Sequence, residues 1–394
     1  MARGIHLGVY TLLIAAGMLT ACSHQRKTTS SKWNPRTAAA YLDAREVAWM
    51  RWPGSARDHD TFCVSCHTVV PYALCRQALR SDMGEQGGSS EERKILDDVA
   101  KRVRLWKEIG PYYSNQGYDG AKPSESRGTE AVLNALILAI NDARAGKLSD
   151  VTRSAFANMW ASQLTDGDAK GAWPWLRFGM EPWEANDSQY YGAAVAAVAV
   201  GIAPENYRSS PDVQPKLDLL RNYLDSKYPS QSVINHVVLL WASSKVYGLV
   251  DSERQKSIVQ EVASAQQSDG GWELSSLTWP SGWSMRSIVR RRLRSDWTWQ
   301  DSESDGYATG LIIFVLQEAG ISAQNTTVQR GLAWLASNQS STDGSWPSVS
   351  LTQRRSPSSN VGHFMRDAAT AYAVLALTES NSASVPNKAI PGGY

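Results

Sequence analysis

From about residue 90 onward, apolar positions gather in segments several helical turns long, separated by loops rich in Gly, Pro and Ser. Their spacing follows the helical period, and no stretch alternates long enough to build a sheet. Two kinds of segment take turns. One is rich in Ala and other small residues: Thr129 to Ile140, Ser188 to Val200, Ser232 to Val246, Gly306 to Glu318 and Ala368 to Leu377. The other is amphipathic and more charged: Glu91 to Lys107, Asp150 to Ser162, Gln214 to Ser226, Ser252 to Gln266 and Thr326 to Asn338. Segments that are apolar on most sides pack inside, and amphipathic ones pack outside them. The alternation recurs every ~45 to 60 residues, the scale of stacked supersecondary units. Residues suited to helix capping stand before the inner segments: Thr129, Asp187, Ser230, Asp305 and Asp367. The expected fold class is all-α, with an inner and an outer ring of helices forming an (α/α) toroid.

The first residues break this pattern. Leu7 to Leu19 is an uncharged apolar run behind Arg3, too short to span a bilayer and the right length for a signal-peptide core. It ends in Leu19-Thr20-Ala21-Cys22, which resembles the lipobox of bacterial lipoproteins. That resemblance implies a signal peptide over 1–21, lipidation at Cys22 and a polar tether over 22–34. An ordinary signal peptide with an incidental Cys22 is the alternative. Ser23 is not the aspartate that retains such proteins at the inner membrane, which favours the outer one. The expected location is the periplasmic side of a bacterial membrane, held by a lipid anchor.

Composition narrows the chemistry. The chain has 394 residues, 42% hydrophobic and 20% charged, with a net charge of +2. That is a globular balance with no electrostatic drive toward nucleic acid. Its 16 Trp and 15 Tyr against 5 Phe favour walls where apolar surface meets water or ligand. Four cysteines in so long a chain exclude a disulfide scaffold, so their spacing matters. Cys63-Val64-Ser65-Cys66-His67 is a C-x-x-C-H run. Two thiols at this spacing reach the two vinyl groups of one haem edge, and the next imidazole lies under the ring. The run resembles the attachment site of c-type cytochromes, which implies covalent haem c on Cys63 and Cys66 with His67 as iron ligand.

Two other readings of the cysteines stand beside this one. A zinc site needs further ligands at matched spacing, and a dithiol redox pair needs a βαβ setting. The candidates for a sixth iron ligand are Met83, Met50, His59, His236 and His363, each with an ordinary structural role as its alternative. Cys75 reads as a small buried hydrophobe.

The loops that follow the amphipathic segments look alike. They run from Gln163 to Trp173, Gln266 to Trp272 and Gln339 to Trp346, ending in Gly171-Ala172-Trp173, Gly270-Gly271-Trp272 and Gly344-Ser345-Trp346. Together with Arg330-Gly331 and Trp334-Leu335 in the last unit, they resemble the QW repeat of the squalene–hopene and oxidosqualene cyclase family. In such a joint the Gln amide bridges helix ends, Gly permits the turn and Trp closes it. The resemblance implies a terpenoid cyclase-like toroid. The family's acid motif, D-x-D-D, is absent. The positional analogue, Asp301-Ser302-Glu303-Ser304-Asp305, has acids but not the motif, and Asp305 reads as a cap. The zinc ligands of related prenyltransferases are absent too, since no cysteine lies beyond Cys75.

The expected organisation is therefore a haem-binding segment over 35–110, a toroid over 111–380 and a tail over 381–394. Trp175, Trp183, Trp279, Trp283, Trp297 and Trp299 are candidates to rim a central cavity or to pack loops. The arginine run Arg286 to Arg294 reads as a solvated face or as a patch for anionic lipid or a redox partner. The function expected is electron transfer or haem-linked redox chemistry near an apolar ligand. The partners are then a redox protein or an isoprenoid-like molecule. A terpenoid cyclase and a non-catalytic haem sensor or ligand-binding lipoprotein are the alternatives.

Overall fold

A computed structural model describes residues 33–114, 120–278, 293–299 and 303–383. Cys22, the signal-peptide run, Trp279 and Trp283 lie outside these residues, as does Arg286 to Arg292. The described residues are mostly helical, and they contain thirteen α-helices and one two-stranded sheet.

The helices are α1 (Pro35–Arg51), α2 (Val69–Met83), α3 (Ser90–Arg104), α4 (Lys122–Ala145), α5 (Asp150–Ala161) and α6 (Ser188–Ile202). They continue with α7 (Gln214–Lys227), α8 (Val233–Lys245), α9 (Ser252–Ser264), α10 (Leu274–Leu277), α11 (Gly306–Glu318), α12 (Thr326–Ser337) and α13 (Asn360–Ala383). The strands β1 (Ala56–Arg57) and β2 (Thr61–Phe62) pair antiparallel between α1 and α2. None of the described helices is long and apolar enough to cross a membrane.

Packing follows the two sequence classes. α2 packs on α4, α4 on α6, α6 on α8, α8 on α11, α11 on α13, and α13 back on α2. Within this closed circuit α6 and α11 are buried along almost their whole length. Their Ala and Gly positions let neighbouring backbones approach closely. The amphipathic helices α1, α3, α5, α7, α9 and α12 each pack on members of the circuit and keep a polar face to water.

The Gln–Gly–Trp turns share one geometry. Gln163 donates from Nε2 to Gly171 O and to Lys216 O at the start of α7. Gln266 does the same to Gly270 O and to Thr327 O of α12. Gln339 reaches Gly344 O and Asn34 O, 2.9 and 3.0 Å away, at the start of α1. Each Trp is fully buried and donates from Nε1 to a carbonyl of the preceding outer helix: Trp173 to Met159, Trp272 to Val262 and Trp346 to Leu335. Gly171 and Gly270 both sit at φ +98°, and a Cβ there would lie 2.1 Å from Leu219 O or 2.6 Å from Arg330 O. Only glycine meets both demands.

The third turn joins the end of α12 to the start of α1. Asn34 caps α1 by accepting from Arg36 N and Thr37 N, and Pro35 opens the helix. Trp33 packs on Trp346 with ring centroids 6.1 Å apart. Residues 33 and 34, expected in the tether, are thus part of the packed body. The described residues on both sides of residue 110 belong to one compact unit. α1, α2 and α3 supply one inner helix and two outer ones to the same assembly, and α2 fills the place between α13 and α4.

The capping expectations divide. Asp305 caps α11, accepting from Tyr307 N and Ala308 N. Asp187 stands at the start of α6 but accepts instead from Ser232 Oγ and Asn235 Nδ2 across to α8. Ser230 lies in a short 3-10 turn, and Ser232 stands before α8. Thr129 lies inside α4, which starts two turns earlier, at Lys122 with Pro123 in its first turn. Asp367 lies inside α13, which starts at Asn360.

Candidate functional site

The C-x-x-C-H run forms the loop between β2 and α2, and its backbone is pinned at Cys63, Val64 and Ser65. Cys63 N donates to Ser55 O, and Cys63 O accepts from Trp49 Nε1 at 2.8 Å. Val64 N donates to the Tyr112 hydroxyl. Ser65 Oγ accepts from Thr68 N and Val69 N, which closes the first turn of α2. A buried polar group supports this loop from below. Arg102, fully buried, donates from Nε to Glu130 Oε1 at 2.6 Å and from Nη1 to Thr61 Oγ1 at 2.6 Å. Its guanidinium also covers the Tyr112 ring, 4.6 Å from the centroid.

Cys63, Val64, Ser65, Cys66 and His67 all line one cavity of about 260 Å³. Trp49, Trp52, Trp183 and Phe364 supply much of its apolar wall. The loop before α2, Thr129 of α4, and Val361, Phe364 and Met365 in the first turns of α13 all reach this cavity. Phe364 stacks on the His67 imidazole at 3.6 Å and 14°. Trp49 meets the same ring edge-on at 5.0 Å and 83°.

His67 Nδ1 lies 2.9 Å from Thr68 Oγ1, and no described residue hydrogen-bonds Nε2. Thr68 Oγ1 donates to Asp367 Oδ2 at 2.9 Å. Asp367 also accepts from the Tyr41 hydroxyl at 2.8 Å and from Arg45 Nε at 2.9 Å. Burial pushes the Asp367 carboxyl up to about 6, against the pull of Arg45. Burial, followed by the Arg45 charge, brings the imidazole of His67 down to about 3. The ring is therefore neutral at physiological pH, the form a metal requires.

Both cysteines are unpaired thiols. Burial raises the Cys63 thiol to about 11, against the nearby Arg57 guanidinium. Burial and then Glu184 push Cys66 upward as well. Among the described residues no group of three or more His, Cys, Asp or Glu is placed to hold a bare metal ion. A tethered porphyrin asks for less: two thiols on one wall, one neutral imidazole beside them and an apolar enclosure. The donor set and the aromatic walls meet those requirements.

The expected sixth ligands do not line this cavity. Met83 ends α2, ~20 Å along the helix from His67. Met50 lines a separate surface cavity with Asp98. His59 sits in a left-handed turn beside Asp58. His236 is held by Glu261 Oε2 and stacks on Tyr228, and His363 Nδ1 lies 3.4 Å from the Tyr41 hydroxyl. The sulfurs that the cavity does offer are Met180 and Met365, which no spacing in the sequence marks. Cys75 is fully buried elsewhere, with its thiol toward Tyr72 O.

Two acids on the cavity wall were also missed by sequence reasoning. Glu181 and Glu184 lie in the loop after Trp173, folded back by paired hydrogen bonds between Met180 and Glu184. Burial raises Glu181 to about 8 and Glu184 to about 7. Asp305 does not line the cavity, and its oxygens are taken by Tyr307 N, Ala308 N, Leu274 N and Ser348 Oγ. Trp183 lines the cavity, whereas Trp175 is packed under the Gly192 backbone of α6. An adjoining cavity is lined by Arg294, Arg354, Arg355, Arg366, Trp297 and Trp299, and it shares Arg355 and Ser350 with the first.

No family model matches the chain, and no curated protein does. One solved structure it resembles is that of a glycosidase variant, with 13% sequence identity and a TM-score of 0.48, covering 88% of this chain and 98% of that one. A likeness at that level bears on neither activity nor ligand.

Proposed function

We propose that this protein is an exported, lipid-anchored c-type haem protein. Its body is a terpenoid cyclase-like (α/α) toroid, and its haem c is attached at the toroid's mouth through Cys63 and Cys66. The observation that carries this reading is the convergence of Cys63, Cys66 and His67 on one aromatic-walled cavity. Haem bound there supplies one-electron exchange between ferric and ferrous iron. The chain's own part is to enclose, orient and tune. Trp49 and Phe364 fix the plane of His67. Trp52 and Trp183 keep the walls apolar, and Met180 and Met365 are the thioethers within the enclosure. The adjoining arginine-lined cavity suits an acidic redox partner docked close to the site. The Cys22 anchor and signal peptide place this chemistry on the periplasmic face of a bacterial membrane.

The test is expression with a haem-attachment apparatus, read by absorbance after denaturation. A covalent haem spectrum that is lost in Cys63→Ala with Cys66→Ala supports the reading. A colourless protein overturns it.

A second reading rests on Glu181 and Glu184. Carboxyls kept protonated near neutrality in an apolar cavity can donate protons to an isoprenoid or similar ligand, as an acid-initiated cyclase or isomerase does. Turnover of such a ligand that disappears in both Glu181→Gln and Glu184→Gln would favour it over electron transfer.

A further inference from the structure

We infer that Thr68 and Asp367 form a relay that fixes the tautomer of His67 and strengthens its Nε2 as a donor toward iron, so that both are positioning residues for the haem ligand. This rests on the haem reading above and deepens it. Thr68 has one hydroxyl hydrogen, and Asp367 Oδ2 takes it at 2.9 Å. The Thr68 oxygen therefore meets His67 Nδ1 with a lone pair, and the ring hydrogen sits on Nδ1. Nε2 is left bare, and the stacked Phe364 and edge-on Trp49 hold the ring that carries it.

Asp367 also ties α1 to α13 through Arg45 and Tyr41. Thr68, by contrast, stands at the start of α2, yet its side chain serves no helix cap. Its hydroxyl bonds only His67 and Asp367 among the described residues. Asp367 lies in the middle of an inner helix, between Met365 and a run of alanines, and it is 2% exposed. A carboxylate in such a place costs stability unless it is fully bonded. Arg45 and Tyr41 from α1 hold it toward Thr68. An acceptor behind a metal-bound imidazole raises its basicity and favours the more highly charged metal state. The relay therefore lowers the reduction potential of the iron.

The experiment compares the haem-loaded wild type with Thr68→Val, Thr68→Ser and Asp367→Asn, measuring attached haem by intact mass and the midpoint potential by redox titration. Thr68→Val keeps the side-chain volume and leaves the Asp367 pairing with Arg45 and Tyr41 in place. The relay predicts unchanged haem attachment and a raised potential. At fixed solution potential the ferrous-to-ferric ratio shifts on the order of tenfold. Thr68→Ser returns to the wild-type value, and Asp367→Asn moves in the same direction as Thr68→Val. Should Thr68→Val fail to load haem, Asp367→Asn decides alone. A loaded variant without the relay that titrates at the wild-type potential overturns this inference and leaves the haem reading intact. A wild type with no attached haem overturns both.

Discussion

Four of the steps from an outer helix toward the next inner one can be set side by side, while α7 passes to α8 through the short 3-10 turn Tyr228–Ser230. After α5, α9 and α12 the step is a Gln–Gly–Trp joint. After α1 it is the β1–β2 hairpin and the C-x-x-C-H loop. The three joints use their polar groups fully. Each Gln amide bridges two carbonyls and each indole N–H meets a third. The loop after α1 pins its backbone at Cys63, Val64 and Ser65 but lines a cavity with Cys63, Cys66 and His67. The same topological position is a closed polar joint after α5, α9 and α12 and a cavity-lining loop after α1. Variants in the joints should therefore cost stability and spare the site, and variants in the loop should do the reverse.

The largest effect is expected at Trp346. Trp346→Ala removes a fully buried indole and its bond to Leu335 O, and should cost about 3–5 kcal/mol in urea unfolding while any bound chromophore keeps its spectrum. An equal loss from Cys66→Ala would break the comparison. Glu130→Gln tests the support beneath the loop. It removes the nearer, buried counter-charge of Arg102, leaving Asp58 at 3.8 Å, and should cost about 3 kcal/mol by the same measurement. Because Arg102 reaches Thr61 and Tyr112, this variant should also disturb the site, which no joint variant does. Gln339→Ala frees the carbonyls of Asn34 and Gly344 and should cost about 1–2 kcal/mol. Its local signature is faster amide hydrogen exchange at the start of α1, and unchanged exchange there would remove the joint from its assigned role.

The smallest effect is a pH slope. Burial raises the Asp98 carboxyl to about 7, against the Phe62 N–H and Arg102, which lower it. A carboxyl raised in the folded state binds a proton more tightly there than in the unfolded chain. Its contribution is complete below the unfolded value of about 4 and is lost as pH rises through about 7. Unfolding midpoints should fall between pH 5 and pH 8, and Asp98→Asn should flatten that fall. Parallel slopes in the two proteins would show that Asp98 is not the group responsible.

The helical part of this fold was legible because two properties repeat. Ala-rich and amphipathic segments differ in composition, and α6 and α11 begin where the sequence places them, at Ser188 and Gly306. The joints were legible because a left-handed Gly next to a neighbouring carbonyl and a buried Trp admit few substitutes. The first repeat was not legible as a repeat. Its joint is replaced, and α2 buries Tyr72, Arg76 and Arg80 in place of an Ala-rich run like that of α6, so residues 35–110 read as a separate segment.

The site divides in the same way. Cys63, Cys66 and His67 are contiguous, so spacing alone reveals them. Asp367, Glu181, Glu184, Met180 and Met365 reach the same region from more than a hundred residues away. Packing brings them there, and no local pattern records it. Asp367 and Asp305 illustrate the difference. Both stand near the start of an inner segment and both read as caps, but only Asp305 has the backbone N–H groups of a helix start within reach.

The central claim is that the thiols of Cys63 and Cys66 hold a porphyrin. Intact-mass measurement of the protein, matured in cells that attach haem, tests it most directly. The account predicts a mass increased by one haem, retained under denaturing conditions and absent when both cysteines are replaced by alanine. An unmodified polypeptide mass from cells that load a control cytochrome would contradict it.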